Sequence, residues 1–559
     1  MTVKNPKELA IGLALVAGVY GTSVYNYKKN HPSAPSSSPT HHSTPAPTAP
    51  VPRSSSSPNN NKVYDALIIG GGVVGLSVAQ NLSSRGASVL LLERDVSLAA
   101  GASSGNSGLG CTGYDAPVGS LERYLLRRSI RLHQKLFRSF GISHEHIRKC
   151  GSLVVAWTPS EVLALPHELS KNVEAGDLDA VLLSRSELRS LEPALSHAAL
   201  GAVFCPREAV VEPWLVPMGY AASALLHGAT IKTSSLVVGA AFDDKAKLWN
   251  VTVAETEERA NGRSEEDELL TPYRPTPPQR QEKKDTGTTT TTVAARTVIN
   301  CAGLYGDEVE ALTSDDSKAF TITPRKGQFV VFQPAPNSAI PEVIIEPVAT
   351  QFTKGVIAWK TVWGTVVVGP TAVDQQSKDD RSTDAETIKM LREVGERMIP
   401  ALKDATVLGT YSGLRPASEH RDYQIYANED KQWITVAGIR STGLTASSGI
   451  GDYVGDLWEE VVGKAPKGRA KAAVLSGDTA TPDKLVGVTD AAMSPLPVRS
   501  GSKRCDKVPT LQEMALEYRL RGDGMITLHG KEHRVTHPIS SFGMGALGVG
   551  FDVDENIKK

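Results

Sequence analysis

The sequence predicts an α/β body of the Rossmann dinucleotide-binding type with an inserted antiparallel sheet, preceded by an N-terminal membrane helix. Three observations carry this expectation. The run Gly70-Gly71-Gly72-Val73-Val74-Gly75 sits between strand-like YDALIIG and helix-like VVGLSVAQNLSSRG. Glu93 closes the next strand-like segment, SVLLLE. Further strand-like and helix-like segments then alternate along the chain, as in a layered α/β sheet.

Taken in order, Leu9 to Tyr27 are 19 residues without a charge. As a helix they would span about 28 Å, near the ~30 Å hydrocarbon thickness. Residues 1–30 are therefore read as a single-pass anchor, with a cleaved signal ending near Val19 and Gly21, or an organellar presequence, as open alternatives. Lys4 and Lys7 precede the stretch and Lys28 and Lys29 follow it, so its orientation and its membrane, endomembrane or mitochondrial, stay undecided. Residues 31–61, mostly Pro, Ser, Thr, His, Ala and Asn, lack the apolar content to fold and read as a tether.

The body is expected over 62–463. Dinucleotide-binding segments fall at about 62–114, 200–255, 291–312 and 405–463, and substrate segments at about 115–199 and 313–404. The polar stretch 256–292 lies between strand-like WNVTVA and VAARTVINCAG and reads as an expanded hairpin loop. TPRKGQFVVFQ and WGTVVVGPTA look antiparallel, and RLHQKLFRSFG looks like an amphipathic helix. Residues 464–559 form a linker and a small extension with helix-like LQEMALEYRL and hairpin-like MITLHGKEHRVTH.

Composition excludes several classes. Sixty Lys plus Arg against 61 Asp plus Glu leave a formal charge of −1, so no summed field favours nucleic acid. Cys111, Cys150, Cys205, Cys301 and Cys505 lack zinc spacing and suggest neither a metal site nor a disulfide framework. What remains is the glycine turn. Gly70 would turn tightly, Gly72 would admit a diphosphate at a helix N-terminus with Val73 and Val74, and Gly75 would let helix pack on strand. Glu93 is placed to accept from ribose hydroxyls, with Arg94 beside it. This unit alone leaves FAD and NAD open.

Three later segments resemble a known group. Gly101-Ala102-Ser103-Ser104-Gly105-Asn106-Ser107-Gly108 followed by GYDAP, then VINCAGLYGDEV, then YSGLRPAS with GIRSTGLTASSGIG, are similar in order and spacing to the D-amino acid oxidase-like (DAO) superfamily of FAD-dependent oxidoreductases. The resemblance covers about 63–463 and is nearest the glycerol 3-phosphate dehydrogenase and L-2-hydroxyglutarate oxidase-like branch, with RKGQF and GPTAV as supporting pieces. It implies FAD as cofactor and a small anionic substrate, a 2-hydroxy acid or polyol phosphate, with oxygen or a quinone as electron acceptor. Oxidation of a D- or secondary amino acid on the same fold, or flavin binding without turnover, are the alternatives.

The resemblance also suggests cofactor contacts at Ser104, Asn106, Ser107, Gly108, Val238, Cys301, Ala302, Gly303, Gly413, Thr442, Gly443, Leu444 and Thr445. The helix opening near Gly443 would face its free N–H groups to charge developing on reduced flavin, although Thr445 also reads as a simple helix N-cap. Arg415 is the leading anion ligand, since a guanidinium matches a carboxylate or phosphate with two parallel hydrogen bonds. Lys354 and Lys360 are weaker substrate candidates, and His420 a candidate base. Relatives carry histidines where this chain has Cys111-Thr112 and Trp363, which puts the usual substrate in doubt. Cys111 and Cys301 leave covalent attachment of the flavin open.

Overall fold

The computed structural model describes residues 62–140, 146–255, 290–313, 320–349, 355–465, 467–468, 470 and 508–546. The expected anchor, the tether, most of the 256–292 and 464–507 stretches, and Lys354 lie outside the described residues. Among those described, no helix is long and apolar enough to cross a membrane.

YDALIIG forms β1 (Val63–Ile69), whose Ala66, Leu67 and Ile68 are fully buried, as a strand covered on both faces requires. The chain turns through the glycines into α1 (Val73–Ser84) and returns as β2 (Val89–Leu92), parallel to β1 with Ile69 opposite Leu92. The short β3 (Leu109–Gly110) precedes α2 (Leu121–Ser139), which begins ten residues before the amphipathic stretch expected from sequence. Then follow β4 (Ile147–Arg148), β5 (Ser152–Ala156), β6 (Val181–Ser184), β7 (Gly201–Cys205) and β8 (Ala209–Val211), with β3 and β4 flanking β8 in a small sheet.

After α3 (Leu215–Leu226), β9 (Thr230–Lys232) extends the first sheet parallel to β2. A meander of β10 (Ser235–Asp243), β11 (Leu248–Glu255) and β12 (Thr290–Asn300) follows, and β12 lies parallel to β1. β11 and β12 are paired up to Ala254 and Thr290, so the threonines at 290–292, expected in the loop, belong to the strand. β-branched residues suit such a half-exposed ribbon.

The second sheet collects β13 (Ile322–Gln333), β14 (Ile344–Pro347), β15 (Ile357–Lys360), β16 (Val366–Gly369) and β17 (Val373–Asp374). After α4 (Ala385–Met398), the long β18 (Thr406–Ser418) pairs along β13. The order is β17-β13-β16-β15-β14-β5-β7-β6, antiparallel except where β14 runs parallel to β5. The expected dinucleotide-binding segments 200–255 and 405–463 thus each begin with a strand of this second sheet.

The hairpin of β19 (Gln424–Asn428) and β20 (Trp433–Ala437) returns to the first sheet, where β20 lies parallel to β12. The first sheet therefore runs β9-β2-β1-β12-β20 in parallel, a Rossmann order. α5 (Gly443–Val461) packs against α1 and α2, burying Ile450, Val454 and Trp458 with Leu76 and Leu125 in the main core. The C-terminal piece folds as α6 (Leu511–Arg521), β21 (Met525–Leu528), β22 (Lys531–Arg534) and α7 (Pro538–Ala546).

Candidate active site

At the glycine turn, sterics explain the residue types. Gly70 has φ +111°, and a Cβ there would lie 2.5 Å from the Cys301 carbonyl oxygen. A Cβ on Gly75 would lie 2.0 Å from the Gly70 carbonyl oxygen, so only glycine lets α1 approach the turn. Gly72 has no such neighbour beyond Ser103 Oγ at 3.3 Å, which leaves an open cradle in front of α1. No side chain of Gly72 caps the helix, and the first intrahelical bond of α1 is Leu76 N–H to Gly72 O. The Val73 N–H donates to Ser103 Oγ at 3.0 Å, while the Val74 and Gly75 N–H groups have no intrahelical acceptor. Such a cradle fits a diphosphate.

Glu93 is buried, and its carboxylate accepts from the Gly71 N–H at 2.5 Å and the Asp95 N–H at 2.9 Å. Burial, then the charge of Asp95, push its carboxyl up to about 7. Arg94 stacks over Tyr305 at 3.8 Å. Val238 is 46 % exposed at a bulge in β10, and β10 packs against β2. On the other side of the turn, Cys301 N–H donates to Ile69 O at 2.9 Å, Ala302 N–H to Asn300 Oδ1 at 3.2 Å, and Gly303 adopts φ +57°. Burial raises the Cys301 thiol pKa strongly, so it stays protonated.

The 101–111 loop runs between α1, β18 and α5. Asn106 braces it from within, donating from Nδ2 to Ser103 O at 2.7 Å and accepting the Gly108 N–H at Oδ1 at 2.8 Å. A Cβ on Gly413 would lie 2.0 Å from Gly105 O, so loop and strand touch backbone to backbone. Ser104 points away from the cradle, donating to Ala100 O at 2.8 Å and accepting from Arg381 Nη1 at 3.0 Å. The N-cap of α5 is Thr442, without a side-chain cap bond; its hydroxyl donates instead to Glu122 Oε1 at 2.6 Å. Gly443, Leu444 and Thr445 are thus the first turn, with N–H groups free of intrahelical acceptors. The N-cap reading of Thr445 is corrected: its Oγ1 accepts from Cys111 N–H and donates to Leu109 O, both at 3.2 Å, stitching the loop to the helix.

Strand parity sorts the substrate candidates. Arg325, Gly327 and Phe329 on β13 oppose Arg415, Gly413 and Tyr411 on β18, so these share the sheet face that meets the loop. Arg415 packs over Gly327 and Pro370 and donates from Nη1 and Nη2 to Thr371 O at 3.2 Å. Among the described residues no carboxylate pairs with it. Burial, with Arg325 nearby, lowers its pKa to about 10. Lys360 is a correction: it opposes Val366, while Trp359 opposes Val367 on the Arg415 face, and its Nζ pairs with Glu342. His420 is a second correction: its side chain is 45 % exposed and lies 3.9 Å from Glu419, the setting of a solvated surface histidine.

Four residues without an expected role join these parts. Ser103 caps α1, and Arg381 reaches from beyond β17 to Ala100 O at 3.0 Å. His537, between β22 and α7, is buried with Nε2 3.0 Å from Asn106 O. Glu212 is buried behind β8, accepting from Ser540 Oγ. Only His537 had a legible signal, a polar residue before proline at the start of a helix. Trp363 packs against Tyr518, ring centroids 6.3 Å apart, with Arg519 5.3 Å over its ring.

Comparison with known proteins identifies the family and the fold. The chain is 27% identical over 406 residues to a glycerol 3-phosphate dehydrogenase of Caloramator mitchellensis, covering 72% of this chain and 76% of that protein. It is 28% identical over 398 residues to a glycerol 3-phosphate oxidase of Mycoplasma genitalium, covering 70% and 93%. The fold is like that of the L-alpha-glycerophosphate oxidase from Mycoplasma pneumoniae with FAD bound, at a TM-score of 0.58, 23% identity and coverage of 72% and 95%. Residues 65–457 match the FAD dependent oxidoreductase (DAO) family. The chain belongs to that family, and is an FAD-dependent oxidoreductase.

Proposed function

We propose that this enzyme oxidises the carbinol carbon of a small polyol phosphate, glycerol 3-phosphate being the first candidate, with a 2-hydroxy acid anion as the next in chemistry. The observation that carries this reading is Arg415: a mostly buried guanidinium, on the sheet face meeting the 101–111 loop, which among the described residues donates to one carbonyl, that of Thr371. A buried cation without an anion is costly, and a substrate phosphate or carboxylate completes it with charge-assisted bonds. The named relatives act on glycerol 3-phosphate.

In this reading Gly70, Gly72, Val73, Val74 and Gly75 hold the diphosphate, while Glu93, Arg94 and Val238 border the adenosine. Ser104, Asn106, Ser107 and Gly108 shape the loop beside the flavin, opposite Cys301, Ala302, Gly303 and Gly413. Thr442, Gly443, Leu444 and Thr445 present a helix N-terminus to charge that develops during reduction. Bound FAD would supply the acceptor for the hydride of the substrate C–H bond, the hydroxyl proton passing to water as the carbinol becomes a ketone. Arg415 fixes the distance of that C–H by gripping the far end of the substrate. Oxygen or a quinone would then take the electrons, and a membrane anchor at residues 9–27 would suit a quinone without requiring one.

Anaerobic bleaching of the flavin in the purified protein tests the proposal. Glycerol 3-phosphate is expected to bleach it faster than 2-hydroxyglutarate, and amino acids not at all. Bleaching by an amino acid alone would overturn the substrate class.

A further inference from the structure

Outside the family-matched stretch 65–457 lies the C-terminal piece 508–546, yet it is bound to the most functionally loaded loop of the body. Thr536 Oγ1 donates to Ala99 O at 3.1 Å, and Arg534 N–H donates to Ser97 Oγ at 3.1 Å. Phe542 fills the space over Gly409 of β18, and Ile539 joins Phe329, Val331, Trp359 and Tyr411 in the apolar cluster on the Arg415 face of the sheet. The turn at His537 is the centre of this attachment.

The protonation of His537 follows from its partners. Nδ1 accepts the Ile539 N–H at 3.3 Å, an N-cap bond for α7, which starts with Pro538. Nε2 therefore carries the hydrogen and donates it to the Asn106 carbonyl at 3.0 Å. Tyr411 OH donates to the same carbonyl at 3.3 Å. Burial holds the imidazole neutral, with its pKa lowered to about 3 despite the Asn106 bond. A planar trans peptide points its N–H opposite to its C=O, so two donors on Asn106 O also fix the direction of the Ser107 N–H. Asn106 itself, through Oδ1, fixes Gly108.

We propose that His537 is a positioning residue for the flavin: the C-terminal piece reaches back through it to set the Asn106–Gly108 peptides that border the ring. The inference rests on this loop bordering the flavin, as read above. It assigns a duty in the redox site to a segment that the family match does not include.

The test uses the full chain with FAD bound, in His537→Ala, His537→Gln and Tyr411→Phe. The readouts are the visible spectrum, the flavin midpoint potential and the rate of flavin reduction by glycerol 3-phosphate. His537→Ala is expected to shift spectrum and potential, and to slow reduction about tenfold, the rate equivalent of one hydrogen bond, with KM changed less than about twofold. His537→Gln, which keeps a donor, should recover most of the rate. A parent-like spectrum, potential and rate in His537→Ala overturns the proposal. If that variant does not fold, Tyr411→Phe decides: a shifted potential supports the proposal and an unshifted one overturns it. If glycerol 3-phosphate reduces no form of the protein, the substrate reading fails while spectrum and potential still judge His537.

Discussion

Two buried arginine settings divide this molecule by purpose. Between α1, α2 and α5, Arg85 and Arg128 meet Asp452 and Asp456 at 2.5–3.1 Å, all four side chains at most 12 % exposed. Burial alone would lower both arginine pKa values, but the surrounding groups outweigh it and raise them, Asp452 first in each case, with Asp456, Glu459 at Arg85 and Tyr124 at Arg128. At the sheet face, burial of Arg415 meets no such opposition and lowers its pKa to about 10. The first setting is complete in the protein and holds three helices together. The second has no anion among the described residues, and in the proposed function a substrate supplies it.

The largest expected effect comes from breaking the complete setting. Asp452→Ala leaves Arg128 without its 2.5 Å partner and Arg85 without one of its three acids. Stability should fall by about 3 kcal/mol, the lower end for breaking a buried ion pair, because Asp456 and Glu459 remain but no longer offset the full desolvation cost of two buried arginines. Urea unfolding followed by tryptophan fluorescence measures this, and a loss below about 1 kcal/mol would mean the network is solvated and the comparison false.

Arg415→Leu should behave in the opposite sense. It removes a mostly buried charge that no described acid neutralises, so the unfolding midpoint should stay unchanged or rise. Turnover should suffer instead, with kcat/KM for glycerol 3-phosphate falling about 30- to 150-fold, the worth of a charge-assisted contact of ~2–3 kcal/mol. Steady-state kinetics and urea unfolding of the same preparation separate the two effects. A large stability loss with unchanged kinetics would make Arg415 a structural residue like Arg128.

This division also explains how much the sequence alone could yield. The cradle was legible because steric demands write themselves locally: Gly70 must face Cys301, and Gly75 must touch Gly70, so glycine is obligatory at each. Arg415 stood out through its motif. Lys360 failed because side-chain parity depends on a register set across β15 and β16, which no local pattern reveals. The N-cap alternative for Thr445 failed for a related reason: the helix opens three residues earlier than a cap there would need, freeing the hydroxyl for Leu109 and Cys111. Arg381 gave no signal, and for His537 the sequence offered only a cap before Pro538, because their partners, Ala100 and Asn106, lie 281 and 431 residues away in the chain.

A buried acid sharpens the comparison from the other side. Glu212, unlike Asp452, has no arginine within bonding range among the described residues; Ser540 bonds it and Trp363 and a more distant Arg519 only partly offset burial, so its carboxyl is pushed up to about 7. The folded state therefore holds a proton that the unfolded chain, at an ordinary glutamate value near 4.5, has released. Stability is full below about pH 4.5, declines as pH rises toward about 7 and is level above it, since ∂ΔG/∂pH is negative wherever the native state binds more protons. Glu212→Gln keeps a neutral group of similar shape and should flatten this decline, raising the melting temperature above pH 7 by on the order of one to three degrees. Melting curves at pH 5, 6 and 7.5 measure it. Parallel curves for parent and variant would show that Glu212 ionises in the folded protein as readily as in the unfolded chain, and that burial without a cation is not what distinguishes it.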